Sequence, residues 1–321
     1  MAQSSRLQLA ILLLLLPLTG CIITHHPKTP TADVANLRQA TKAELVNSID
    51  SEAQKIKTLD ATVFITVGVG GQKKKDITEY HDIKGYILVT EPNMLRMIGL
   101  APVVRNRIFD MVSDGPRFKL LVPPKGKFYV GGAEVLHPSA NPLENLRPQV
   151  IFNALLLHPI EANEIAVLEV GMEEVADPKS KKPVHQPDYE LLVSRCRDFQ
   201  NRNDCYLARK IIFRRTDLLP HRQIIYDLLG NIATDAHYEE FKPFGDVQFP
   251  SKISIDRPRE ELSIDLTIDD LKVNKPLRPD QFVLNQPAGT QVVDVDTTPV
   301  GLTAGGGTKN PSDAPRPKPE P

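Results

Sequence analysis

The chain reads as a mainly β protein of α+β type: a large curved antiparallel sheet forming an incomplete β-barrel, covered by two amphipathic helices. Three observations carry this expectation. Short runs with two-residue apolar alternation recur along most of the chain, the turns between them are of hairpin length, and only two stretches show helical spacing. A sheet of that many strands curls instead of staying flat, and its apolar face needs a cover.

The first element is an export signal over residues 1–20. Arg6 precedes an apolar run at 9–16, which is too short to span a bilayer, and Pro17-Leu18-Thr19-Gly20-Cys21 follows. The sequence Leu18-Thr19-Gly20-Cys21 resembles the bacterial lipobox, which predicts acylation at Cys21 and a membrane anchor made of lipid. Each buried methylene contributes about 0.8 kcal/mol, so two or three acyl chains hold durably where one would not. Ile22 and Ile23 follow in place of an acidic residue. Under the acidic retention rule of lipoprotein sorting, this favours the outer membrane, with the body facing the periplasm. Residues 21–32 read as the lipidated tether.

The body is expected over 33–285. Thr41-Lys42-Ala43-Glu44 fits a capping box, and Leu45, Ile49, Ala53 and Ile56 recur at helical spacing to about Thr58. From Ala61 the period becomes two, with Val63, Ile65, Val67 and Val69 on one side. Gly70-Gly71-Gln72-Lys73-Lys74-Lys75 then reads as an exposed turn, whose lysines suit a soluble loop or anionic head groups. Strands are expected at 83–90, 94–100, 107–112, 118–122 and 128–130. A second helix is expected at 146–157, with Pro148 in its first turn and Val150, Ile151, Ala154 and Leu155 on one face. Further strands follow at 188–195, 206–214, 221–227, 233–241, 252–256 and 262–273. In the last, Leu262, Ile264, Leu266 and Ile268 alternate with Ser263, Asp265 and Thr267. Residues 286–321, rich in Pro and Gly, read as a disordered tail.

Cys196 and Cys205 flank a polar loop between two strand-like runs, and in an oxidising compartment they are expected to form a disulfide across a hairpin. The 39 Lys and Arg against 40 Asp and Glu leave a formal net charge of −1, one unit more negative once Arg6 departs, which gives no footprint for nucleic acid. Of the eight histidines, only the adjacent His25 and His26 lie close in sequence, and no metal site is expected. No Gly-x-Ser-x-Gly elbow appears, and Gly68-Val69-Gly70-Gly71 lacks the Lys-Ser/Thr of a phosphate loop. The carboxylate neighbours Glu260-Glu261 and Asp269-Asp270 point to opposite faces of a strand, so they make no acid/base pair. No catalytic residue and no cofactor beyond the covalent lipid on Cys21 are expected.

The run from Gly85 through Thr90, Glu91-Pro92-Asn93-Met94-Leu95-Arg96 and Met111-Val112-Ser113-Asp114-Gly115 resembles the signature of the Lol-type lipoprotein carriers. The run Arg214-Arg215-Thr216-Asp217-Leu218-Leu219-Pro220 and the ending Leu271-Lys272-Val273-Asn274-Lys275-Pro276-Leu277, with Phe282, are similar to outer-membrane lipoprotein-sorting proteins. The resemblance covers residues 43–284. It implies a half-barrel with a helical lid and an apolar interior that accepts acyl chains of a lipoprotein or lipid. It also places Arg96 on the sheet's inner side, against the lid helix, an outward-facing strand arginine being the alternative from the residues themselves. The carrier of this family is unlipidated and the acceptor lipidated, so Cys21 makes the chain acceptor-like; the cysteine pair and long tail depart from the pattern. Val63, Ile65, Val67, Ile87, Val89, Leu95 and Met97 are the candidate lining of the cavity, a filled core being the alternative. The expected partners are the membrane, acyl chains and an envelope protein. The rival function is an adaptor lipoprotein that grips a protein partner.

Overall fold

The computed structural model describes residues 37–70, 77–133, 147–176, 181–199 and 202–296. Cys21 with its lipobox, Lys73-Lys74-Lys75 and residues 297–321 lie outside them. The chain divides into two compact units, one of Asn36–Gly171 with Asp188–Pro321 and one of Met1–Ala35 with Met172–Pro187. In the smaller unit the described residues are extended, and Val184 is buried.

The main unit opens with helix α1, Lys42–Lys55. Its capping box forms: Thr41 Oγ1 accepts from the Glu44 amide, and the Glu44 carboxylate accepts from the Thr41 amide. Leu45 and Ile49 are its buried stripe. The helix ends three residues sooner than its periodicity suggests. Asn274, in the left-handed region at φ 59°, donates to the Lys55 carbonyl and accepts from the Lys57 amide, so a side chain from the far end of the domain takes over the next turn's hydrogen bonds.

Fourteen strands follow: β1 Thr58–Val69, β2 Thr78–Thr90, β3 Met94–Leu100, β4 Arg107–Ser113, β5 Arg117–Val122, β6 Lys127–Gly132, β7 Glu164–Ala176, β8 Pro183–Phe199, β9 Arg202–Arg214, β10 Pro220–Tyr226, β11 Ile232–Phe244, β12 Val247–Arg257, β13 Leu262–Val273 and β14 Gln291–Asp294. Helix α2, Pro148–Leu155, lies between β6 and β7. The strands form one open sheet in the order β14-β6-β5-β4-β3-β2-β1-β13-β12-β11-β10-β9-β8-β7. Among the described residues, the pairings from β6 to β8 are antiparallel, mostly between strands joined by short turns, and β14 joins β6 in parallel. Residues from β1 to β6 and from β11 to β13 share one buried cluster with α2, so the sheet of this unit bends around a common core.

Two strands escape the sequence reading. β7 is written in Glu, Ala, Leu and Met as much as in β-branched residues, so its alternation is weak. β14 corrects the tail boundary. The segment 286–296 belongs to the fold: the Gln291 amide donates to Gly126 O, the Val295 amide donates to Val130 O, and Val295 is buried. Pro287 and Gly289 mark a turn into this strand and not the start of disorder, because a β-branched run that finds an open sheet edge gains hydrogen bonds and burial together.

Candidate functional site

An apolar hollow of about 350 Å³ lies on the inner face of the main unit. Its walls are Ile65 and Val67 from β1, Tyr80 and Ile83 from β2, Met97 from β3, and Ile108, Phe109 and Met111 from β4. Phe118, Leu120 and Val122 from β5, Tyr129 from β6 and Ile264 from β13 continue them, with Ile151 of α2 and Val295 closing two sides. Only Lys125 brings a formal charge, and it stands exposed at the mouth beside Pro124. The volume lies within the roughly 300–1,000 Å³ range of small-molecule sites.

Local backbone features keep this space open. The register shifts between Gly99 and Leu100 where β3 meets β4, and the extra residue on β4 turns both Ile108 and Phe109 toward the hollow. The Phe109 ring lies over Gly99, in the place that a side chain there would occupy, so the ring rests on the wall instead of crossing the space. Gly85 likewise seats Ile65 and Val63.

Of the seven lining residues expected from sequence, Ile65, Val67 and Met97 line the hollow. Val63, Ile87, Val89 and Leu95 point to the same face but are sealed in the surrounding core. The remaining lining comes from β4 and β5, joined by residues of β2, β6, β13, α2 and the β5–β6 turn and by Val295 just past β14. The alternation in the strands at 107–112 and 118–122 carried the signal for the first two; nothing in the sequence pointed to Val295.

Arg96 is corrected: it lies on the outer face. Leu95 and Met97 face inward, so the residue between them on a strand must face outward. There its guanidinium donates to both oxygens of the fully buried Asp110 at 3.1 and 2.9 Å and to the Gln281 carbonyl at 2.8 Å. Arg107 donates to the same carboxylate at 2.8 Å. The helix it holds is thus the 3₁₀ turn Pro279–Phe282, not α1 or α2. Phe282 and Leu284 then pack over Val112, Leu121 and Phe128, which carries the chain across the outer face toward β14.

The strap ends against Arg147, the residue that precedes α2. Asp296 accepts from the Gly132 amide at 2.6 Å and stands 3.8 Å from Arg147, whose guanidinium lies 5.0 Å from the Phe118 ring centre. One wall of the hollow is therefore fixed by a charged latch outside it.

A second apolar space of about 290 Å³ lies between α1, α2 and β9 to β12, lined by Ile49, Ala53, Leu155, Tyr238, Phe241 and Phe249 among others. Burial raises the Tyr238 phenol well above its ordinary range, so it is neutral at every physiological pH. Among the described residues, Asp235 sits in a paired charged cluster with Arg222 and His237. Asp235 would be raised by burial, but hydrogen bonds from Arg222 and His237 hold it far below the usual carboxylate range. Cys196 and Cys205 face each other across β8 and β9 and are joined by the expected disulfide. Among the described residues, no helix is long and apolar enough to cross a membrane.

No protein-family model matches the chain, and no curated protein matches it. Among solved structures, the chain is similar to a DUF1329 family protein from Desulfovibrio piger, with 13% identity over 74% of this chain and 94% of that one and a TM-score of 0.47. It is similar to a LolA superfamily protein from Nitrosomonas europaea, with 10% identity over 77% and 99% of the two chains and a TM-score of 0.47. A third similar structure is an outer membrane lipoprotein-sorting protein domain from Vibrio parahaemolyticus, with 11% identity over 74% and 94% and a TM-score of 0.45.

Proposed function

We propose that this chain is a non-enzymatic lipoprotein, anchored through Cys21 to the outer membrane and facing the periplasm, that binds acyl chains and acts in lipoprotein or lipid trafficking. The observation that carries the reading is the apolar hollow between β1–β6 and α2, whose lining is apolar apart from Lys125 at its mouth. A filled core would be more stable, because every void forfeits dispersion contacts. A hollow kept open by a bulge and two glycines makes sense if another molecule completes it. The gain from such a guest is large: sheltering about a dozen methylenes from water is worth about 10 kcal/mol at 0.8 kcal/mol each.

Native mass spectrometry after gentle purification tests this reading. The expected result is co-purifying lipid, and Ile108→Trp, which fills the hollow from its half-buried edge, is expected to reduce the lipid-bound fraction several-fold while leaving the thermal midpoint within a few degrees. A wild-type protein that is reproducibly empty would overturn the proposal.

A second reading, an adaptor that grips a protein partner in the envelope, draws on β7. This is the last strand of the sheet among the described residues, and Ile165, Val167 and Val170 are exposed along it. An open edge with apolar side chains is a template for an added strand. A partner crosslinked through Val167 would favour this role.

A further inference from the structure

We propose that a polar cavity at the start of α2 binds a zwitterion with an oxyanion and an ammonium in one molecule, the chemistry of a phosphoethanolamine head group or its free glycerol ester. This cavity is separate from the apolar hollow, and its occupancy does not depend on acyl binding. The two spaces lie on opposite sides of α2. Gln149 and Asn153, about one turn apart, line the polar cavity, whereas Ile151, two residues from each and so on the far side of the helix, lines the hollow.

The cavity has a volume of about 330 Å³, within the range of small-molecule sites. Its wall is the end of the sheet's inner face, where the apolar pattern stops. Ile253 and Ile255 of β12 face the core, and Arg257 takes the next inward position, which an apolar residue would otherwise continue. Thr234 stands likewise ahead of Ala236 on β11. Arg257 is 7% exposed, and Arg147, at the N-cap of α2, is 2% exposed. Guanidinium groups are seldom buried so deeply, because a buried charge is costly unless partners surround it.

The bonds already made there leave one donor and one acceptor for a guest. Arg257 donates from Nη2 to Glu260 Oε1 at 2.9 Å and from Nη1 to Thr234 Oγ1 at 3.4 Å. Its Nε and the Glu260 Oε2, both buried, have no hydrogen-bond partner among the described residues. The first is a donor and the second an acceptor, and buried groups of either kind are normally satisfied. A bare anion would answer Arg257 and be repelled by Glu260, and a bare cation would do the reverse. A molecule carrying both charges answers both. The other charged groups agree: Arg147, Arg257 and Arg259 line the cavity with Glu260 and Asp227, and Asp296 lies 3.8 Å from Arg147, so the two signs balance. The oxyanion belongs beside Arg147 and Arg257, whose planar forks match a phosphate, where α2 presents the positive end of its dipole. Arg259 pairs with Asp227 at the more open side.

Titration calorimetry on the full-length protein in maltoside micelles tests this. Glycerophosphoethanolamine is expected to bind saturably, and inorganic phosphate and ethanolamine each about tenfold more weakly or worse. Arg257→Gln is expected to weaken binding by about tenfold or more. Glu260→Gln, which keeps the shape and removes the charge, is expected to abolish the preference for glycerophosphoethanolamine over glycerophosphate. Val150→Trp, on the half-buried wall, leaves every charge in place and is expected to block binding, which keeps the test decisive if the buried-charge variants fail to fold. The dihexanoyl ester of the ligand identifies the source: tighter binding than glycerophosphoethanolamine marks a lipid head group and equal binding a free solute, and either upholds the site. No saturable heat with either ligand, or phosphate binding as tightly as glycerophosphoethanolamine, overturns it. Native mass spectrometry on the same preparations separates the two proposals: lipid in the hollow without this heat defeats only the zwitterion site, and an empty hollow with it defeats only acyl binding.

Discussion

Two parts of the inner face meet the same burial problem with opposite outcomes. Under the first half of α1, Leu191, Val193, Ile211 and Phe213 are at 0% exposure against Leu45 and Ile49, and that layer is packed, the second apolar space opening only farther along, beside Ile49 and Ala53. Opposite, Val67, Ile108, Phe109, Leu120 and Val122 stay half-buried around the hollow. The difference is the length of the cover. At 1.5 Å per residue, the 14-residue α1 is about 21 Å long and the 8-residue α2 about 12 Å, and α2 sends only Ile151 into the hollow. A short helix over a wide bent sheet leaves space, and in this molecule the space coincides with the bulge at Gly99.

Truncation should read out that difference. Leu191→Ala in the filled layer is expected to destabilise by about 4 kcal/mol, and Ile65→Ala, which enlarges a space already present, by nearer 2 kcal/mol. Chemical denaturation of the two variants measures this, and equal losses would erase the contrast.

The filled layer also rests on a buried ion cluster. Glu164 accepts from Arg195 at 2.8 Å and Arg209 at 3.1 Å, and Arg209 donates to the carbonyls of His158 and Pro159 where the chain leaves α2. Burial alone would raise the Glu164 carboxyl, but Arg209, the Glu161 backbone and Arg195 overcome it and hold it below the ordinary range. Its stabilisation is thus present above about pH 4.3 and lost as pH falls through the lowered native value. Glu164→Gln leaves Arg209 buried without its counter-charge, and a loss of about 3 kcal/mol at neutral pH with a flattened acid limb is expected in pH-dependent melting. Asp296→Ala should have the smallest effect, about 1 kcal/mol, but hydrogen exchange should rise locally over 291–296 as the strap loosens from Gly132.

How far these features could be read in advance depended on how local their causes are. The alternation in Leu262 to Ile268 and the capping box at Thr41 need only their own neighbours, and both form as written. The disulfide was legible because the hairpin that joins Cys196 to Cys205 is local. Of the two readings of Arg96, the one implied by the family pattern fails and the outward-facing strand arginine holds, because Leu95 and Met97 fix its side. β7 and β14 were missed because their residues lack strong alternation, and pairing with an edge decided their state.

The amino-acid sequence by itself determined the succession of most strands, the two covering helices, the cysteine pair and the apolar character of the inner face, because each follows from side-chain periodicity within a few residues. Tertiary structure alone decided that the inner face is filled under the first half of α1 and hollow near α2, that Asn274 ends a helix more than two hundred residues away, and that Val295 closes a wall. Those outcomes depend on the reach of covers and the curvature of a sheet, quantities set by contacts between distant segments and by no single stretch of the chain.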